Sequence, residues 1–286
     1  MADIRPMNFG EILDGSLVMY RRHFGLFLKL AVIVLAVPVL LFVYFGARWQ
    51  SVFLTPTPNP SSLLLLLPIG ILYYLASLVL TAGTVRIISD AYLGRVPRLE
   101  DALSLGLSKL GALVAVGLGK FAILFLCAIA AAIVVATLGL MAKGIGAVGV
   151  LLVIAAVIVA VWLVAYVLCG YGVTTPIVVL EELGSSFDSF RRSWELTRGF
   201  RSKVAGLSIV AGLLFNALPS WVLQVPVALT RGTMPGVSIA FAALATIVPV
   251  ILAPAIAAVI TLMYYDLRVR REAFDLQVLG QRLGIV

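Results

Sequence analysis

Six stretches of this chain are too long and too apolar for a soluble fold. They run Phe24–Phe45, Leu63–Val85, Leu113–Leu140, Ile145–Cys169, Val204–Leu223 and Val237–Tyr265. A helix needs about 20 apolar residues to cross about 30 Å of hydrocarbon. Within that layer every backbone N–H and C=O must be satisfied inside its own segment, which a helix achieves. A membrane β-barrel needs short alternating strands, and the sequence shows no such pattern. The expected fold is all-α: a polytopic membrane bundle of six transmembrane helices. Composition agrees, with 62% hydrophobic and 12% charged residues, where a soluble domain carries about 25% charge.

The net charge is +8, and the basic residues cluster. Arg5, Arg21, Arg22 and Lys29 lead into the first span. Arg86, Arg95, Arg98 and Lys109 lie between the second and third. Arg191, Arg192, Arg198, Arg201 and Lys203 lie between the fourth and fifth, and Arg268, Arg270, Arg271 and Arg282 follow the sixth. Only Arg48, Lys143 and Arg231 fall on the other side, and Lys120 lies inside the third span. Such a bias places the basic side, and both termini, in the cytoplasm. Beside spans, Lys and Arg report orientation and anionic lipid, not nucleic acid. The expected partners are anionic headgroups and a protein at the cytoplasmic face.

An amphipathic stretch precedes each odd-numbered span. In the first, Phe9, Ile12, Leu13, Leu17, Tyr20 and Phe24 recur at helical spacing, with Asn8 and Glu11 as a capping box. In the second, Leu99, Ala102, Leu103, Leu107 and Leu110 do so after Pro97. In the third, Phe187, Phe190, Trp194 and Thr197 follow Ser185 and Asp188. Trp194 and the Phe residues are expected at the acyl boundary. Aligning Leu13, Leu103 and Phe190 gives spacings of 90 and 87 residues. One membrane domain, 1–286, with three repeats, 1–90, 91–180 and 181–286, follows.

The fourth span overruns. Ile145 to Leu180 holds 36 residues without a charge, about 54 Å of helix. Gly170, Gly172 and Pro176 are expected to break it, leaving "TPIVVLEE" interfacial or protruding. Pro249 and Pro254 should kink the sixth span. "LTPTPNPSS" reads as a short, extended external loop. The first apolar run is expected to be a span rather than a cleavable signal.

Catalytic chemistry has little to work with. The one histidine, His23, sits in "YRRHFG", a helix-to-span corner. Asp14, Asp90, Glu100, Asp101, Glu181, Glu182, Asp188, Glu195 and Asp266 lie at helix ends or on interfacial helices. No phosphate loop or zinc motif occurs. No catalytic residue, metal or cofactor is expected. Cys127 and Cys169 read as small hydrophobes. The small residues Ala128–Ala132 and Ala253–Ala258 read as close helix packing. The intramembrane polar groups are Lys120, Asn216 and Gln224. Lys29 lies 16 residues after Leu13, and Lys120 lies 17 after Leu103, which puts both at one depth. They snorkel to headgroups, hold a lipid phosphate, or pair with a carboxylate at a helix end such as Asp266. The candidates for lipid or anion contact are Arg21, Arg22, Lys29, Lys120, Arg191, Arg192 and Arg198. In the tail "YYDLRVRRE", Tyr264 and Tyr265 read as an aromatic belt. Asp266 and Arg268 are candidates for a structural ion pair, with Arg191 or Arg198 as other partners for Asp266.

"FGEILDGSLVMYRRHFG", "VLEELGSSFDSFRRSWELTRG" and "YYDLRVRREAFDLQ" together resemble a family of bacterial and archaeal membrane proteins. It is named for the membrane domain of glycerophosphoryl diester phosphodiesterase. The resemblance implies a helical membrane domain in a prokaryotic plasma membrane, fused in some relatives to a soluble phosphodiesterase. The membrane part alone is expected here. The role expected is a non-catalytic, lipid-contacting or partner-binding scaffold. A lipid or amphiphile transporter using a groove near Lys29 and Lys120 is the alternative. Single-cysteine labelling in oriented vesicles should find positions 98 and 191 on the same side. Opposite sides would break both the topology and the repeat.

Overall fold

The structure, a computed structural model, describes residues 5–45, 60–142, 146–230 and 233–273. Arg48, Lys143, Arg231 and Arg282, and the Pro-rich stretch up to Asn59, lie outside them. Among the described residues every regular element is helical. Six helical stretches are long and apolar enough to span: Phe24–Leu41, Leu67–Tyr92, Leu110–Leu140, Val148–Leu180, Arg201–Thr230 and Gly236–Glu272. The fold is the expected all-α bundle.

Helix α1 (Phe9–Arg22) lies ahead of the first span. Glu11 accepts the Asn8 N–H at 2.6 Å, which satisfies one orphan donor at the helix start. Arg5 binds the same carboxylate at 2.7 Å. That contact, with the Asn8 bond, holds the Glu11 carboxyl below its ordinary range. Ile12, Ser16 and Tyr20, spaced by four, point inward. After a turn at His23, α2 (Phe24–Tyr44) crosses the membrane. It pairs with α3 (Pro60–Tyr92), whose first turn takes up the end of the Pro-rich stretch.

Helix α4 (Leu99–Ser108) differs from its sequence reading. Its buried residues are Ala102 and Gly106, while Leu107 is exposed. Close approach of two backbones selects the small side chains, not the large ones. A Cβ at Gly106 would sit 2.9 Å from the Val79 carbonyl oxygen of α3.

Helices α5 (Leu110–Ala142) and α6 (Ala147–Gly170) form the second hairpin. The fourth span breaks after Gly170, as expected. The segment beyond it does not protrude. It forms α7 (Thr174–Leu180), with Thr174, Pro176, Ile177, Val178 and Val179 buried. Val178 and Val179 pack with Val85, Leu113 and Val116, and this apolar face could not stay in water. Helix α8 (Asp188–Thr197) follows, with Asp188 accepting the Ser185 N–H at 2.9 Å. The third hairpin begins with α9 (Arg201–Gly212), a π-helical turn at Leu213–Ala217 and α10 (Leu218–Thr230). It closes with α11 (Pro235–Glu272), which runs on as one helix through Pro249 and Pro254.

The core sits at one end. From Pro254 to Val269 nearly every side chain of α11 is buried. A helix covered on all sides is a central post. Around it pack Ile12, Phe27, Leu30, Ile87, Ile88, Ile177, Leu196 and Leu207. The hairpin of α5 and α6 is the opposite case. Past Val116, α5 buries no described residue, and α6 buries only Gly149 and Gly170. Lipid tails are as apolar as leucine, so this surface needs no protein cover. The Ala128–Ala132 stretch therefore does not pack into the core as expected.

Gly106→Ala should lower the thermal midpoint in detergent, because its nearest neighbour is rigid backbone. Gly111→Ala, where a Cβ meets nothing within 4 Å, should hold or raise it by helix propensity, worth about 1 kcal/mol. Size-exclusion after a heating series reads both.

Candidate functional site

The basic segments expected on one side of the membrane do meet at one end of the bundle, and α11 ties them together. Asp266 is fully buried. A buried carboxylate must be paired and hydrogen-bonded. It accepts the Met7 N–H at 2.7 Å, lies 2.6 Å from Lys203 Nζ and 3.0 Å from Arg270 Nε. Lys203 and Arg270 also donate to the Met7 carbonyl, at 2.7 and 3.0 Å. One peptide ahead of α1 is thus clamped by α9 and α11.

Arg268 does not pair with Asp266, because residues two apart on a helix point to opposite sides. It reaches Glu272, one turn on, at 3.0 Å. Asp266 does not bind Arg191 or Arg198 either. Arg191 faces Glu195 at 3.8 Å on the surface of α8, and the Arg198 carbonyl takes a hydrogen bond from Arg271.

A second knot joins α7, α8 and α11. Arg192 binds Glu181 at 3.1 Å and also binds Glu272. Burial works against its charge, but the Glu181 hydrogen bond and the two carboxylates outweigh this and hold it more firmly protonated. Arg192 is therefore an internal tie and not a free headgroup ligand. Tyr264 donates to Glu181 at 2.8 Å. Tyr265 meets Ser89 at 2.6 Å and stacks on Tyr92 at 4.9 Å. Both tyrosines are buried, so they form no interfacial belt. They carry polar tips to α3 and α7.

The other candidates spread around this end. Arg21, Arg22, Arg191 and Arg198 are exposed. Lys29 is exposed in the second turn of α2, whereas Lys120 is half-buried and about three turns into α5. The two lysines therefore do not share one helical register.

Trp194 is half-buried against protein. It packs on Gly170, where the missing Cβ leaves room for the indole, and Phe190 packs likewise on Gly119 of α5. Ser193 and Thr197 donate to the Gly170 carbonyl at 2.8 and 3.3 Å. Behind Trp194 lies a residue the candidate set omitted. The Arg201 guanidinium sits in the corner of two mutually perpendicular rings, 3.7 Å from the Trp194 centroid and 4.0 Å from that of Tyr166. Its Nε and Nη1 are buried without a hydrogen-bond partner. Only the presence of arginine among aromatic residues hinted at this in sequence.

No protein-family model, curated protein or solved structure matches the chain.

Asp266→Asn leaves Lys203 and Arg270 facing each other without their anion. It should cost about 3–5 kcal/mol in an unfolding titration in mixed micelles. Arg191→Gln removes only an exposed pair and should cost about 0.5 kcal/mol or less. Equal effects would mean that the buried carboxylate is not the tie.

Proposed function

We propose that this chain is a non-catalytic membrane scaffold. It sits in a prokaryotic plasma membrane with both termini in the cytoplasm. Its basic end grips anionic headgroups and offers itself to a protein partner. The observation that carries this reading is the division of labour among the cations. Lys203, Arg192, Arg268 and Arg270 are engaged in internal pairs. Arg21, Arg22, Lys29, Arg95, Arg98 and Arg198 are exposed, and none has a carboxylate partner among the described residues. Each basic side chain at an anionic surface contributes about 1 kcal/mol. Several of the carboxylates are themselves engaged. Glu181, Asp266 and Glu272 hold ion pairs, and Asp188 caps α8. Kinship with the phosphodiesterase membrane-domain family belongs to the same proposal. Its support is that the tail motif supplies both polar knots.

A carrier of a lipid or amphiphile is the second reading. Lys120, far inside α5 and without an ion-pair partner among the described residues, favours it.

Purified protein in nanodiscs of mixed phosphatidylglycerol and phosphatidylcholine should enrich the anionic lipid around itself. Arg21→Gln, Arg22→Gln, Arg95→Gln and Arg98→Gln combined should abolish that enrichment with the fold intact. Enrichment unchanged by the four substitutions would overturn the scaffold's lipid role. In proteoliposomes, labelled phospholipid should stay in its leaflet. Flipping that is lost in Lys120→Met would establish the carrier instead.

A further inference from the structure

The walls of α5 and α6 part to leave a cavity of about 490 Å³. Small-ligand sites span about 300–1,000 Å³. Its lining is apolar and includes Cys127, Ala131 and Val134 from α5 with Ala156, Val159 and Val167 from α6. Along α6 it runs from Ala155 to Val167, about 18 Å of helix. One leaflet of hydrocarbon is about 15 Å deep. The crevice thus has the chemistry of an acyl chain and the length of one leaflet.

At the end of the hairpin toward the basic side, α8 packs on both helices. Trp194 stands on Gly170 and Phe190 on Gly119, one on each wall of the hairpin. Beside that end is Arg201, held against Trp194 and Tyr166. The two rings stand perpendicular to each other, 6.2 Å between centroids, and flank the guanidinium on two sides; its donors lie along its edge. Every N–H on that edge lacks an acceptor among the described residues, since Arg201 makes no hydrogen bond and no ion pair. A cation held in place with its donors unused calls for an acceptor. A phosphate diester matches a guanidinium edge in both charge and geometry. Trp162, stacked on Tyr166 at 5.5 Å and exposed, continues the aromatic strip away from the basic end.

We propose that the α5–α6 crevice and Arg201 form one site for a single glycerophospholipid, with a chain in the crevice and the phosphate on Arg201. This rests on the lipid-contacting reading above and narrows it to one molecule at one place. The hairpin is then completed by lipid where it lacks protein. Lysine at this position would keep the charge but lose the planar fork of donors.

The test is native mass spectrometry of the delipidated full chain, titrated with dioleoylphosphatidylglycerol. The wild type should bind one lipid well ahead of the rest. Arg201→Gln should weaken that first binding about tenfold or more, and Arg201→Lys should fall between. Ala156→Phe fills the crevice from its wall without touching the polar knots, and should expel the same lipid while the protein stays folded. It keeps the proposal testable should Arg201→Gln misfold. A first lipid bound equally by Ala156→Phe and wild type would overturn the site. So would displacement of that lipid by millimolar inorganic phosphate, which would mark a soluble-anion site. Nanodisc enrichment is a separate readout, set by Arg21, Arg22, Arg95 and Arg98. No enrichment by the wild type, or enrichment that persists in the four-fold variant, with the first lipid retained, would sink the broader scaffold reading and leave this site standing.

Discussion

A carboxylate with no access to water organises this molecule. Asp266 lies in the central post, and its counter-charges come from α9 and from the next turn of α11, with a backbone N–H from the segment before α1. In a bilayer, apolar side chains cannot set helix register, because lipid and leucine are equivalent neighbours. A buried ion can set it. Sliding α11 by one residue moves the carboxylate about 1.5 Å along the axis and turns it about 100°. Lys203 and Met7 would then be out of reach, and the uncompensated charge would disfavour that arrangement strongly. The second knot, of Arg192, Glu181, Glu272 and Arg268, repeats the device between α7, α8 and α11. Two knots from one helix end fix several elements against it.

The same fact changes how a count of basic residues should be read. Counting cations at span ends gives orientation without distinguishing their uses. Here Lys203, Arg192, Arg268 and Arg270 are neutralised by carboxylates, while the cations on α1, α2 and the α3–α4 connection have no carboxylate partner among the described residues. Only the second group can raise the local concentration of anionic lipid.

Local signals were legible in the sequence. The six spans, the stop after Gly170 and the caps at Asn8 and Ser185 depend on neighbours within a few residues. What was not legible depends on pairs far apart in the chain. Met7 and Asp266 are separated by 259 residues, and nothing in either stretch names the other. The inward face of α4 was read correctly at Leu99, Ala102 and Leu103, which pack in or on the core, and wrongly at Leu107, which is exposed, because leucine periodicity signals burial only in water. In lipid the contact face belongs to Ala102 and Gly106. Tyr264 and Tyr265 were misread because an aromatic pair near a span end has two physical outcomes, a wet belt or a buried hydrogen-bonding post. The carboxylates and hydroxyls around them decide for the second.

The uneven distribution of the core follows from these constraints. Hydrocarbon solvates apolar helices, so the α5–α6 hairpin can stand almost bare. It does not solvate ions or peptide groups, so those must converge and exclude lipid. The bundle is therefore tight where its charges are and open where they are absent. Arg201 stands at the boundary between the two regimes. It is a cation held against two rings, next to a hairpin whose helices leave an apolar cavity between them. Among the described residues the Arg201 guanidinium finds no acceptor, and the proposed lipid would supply one.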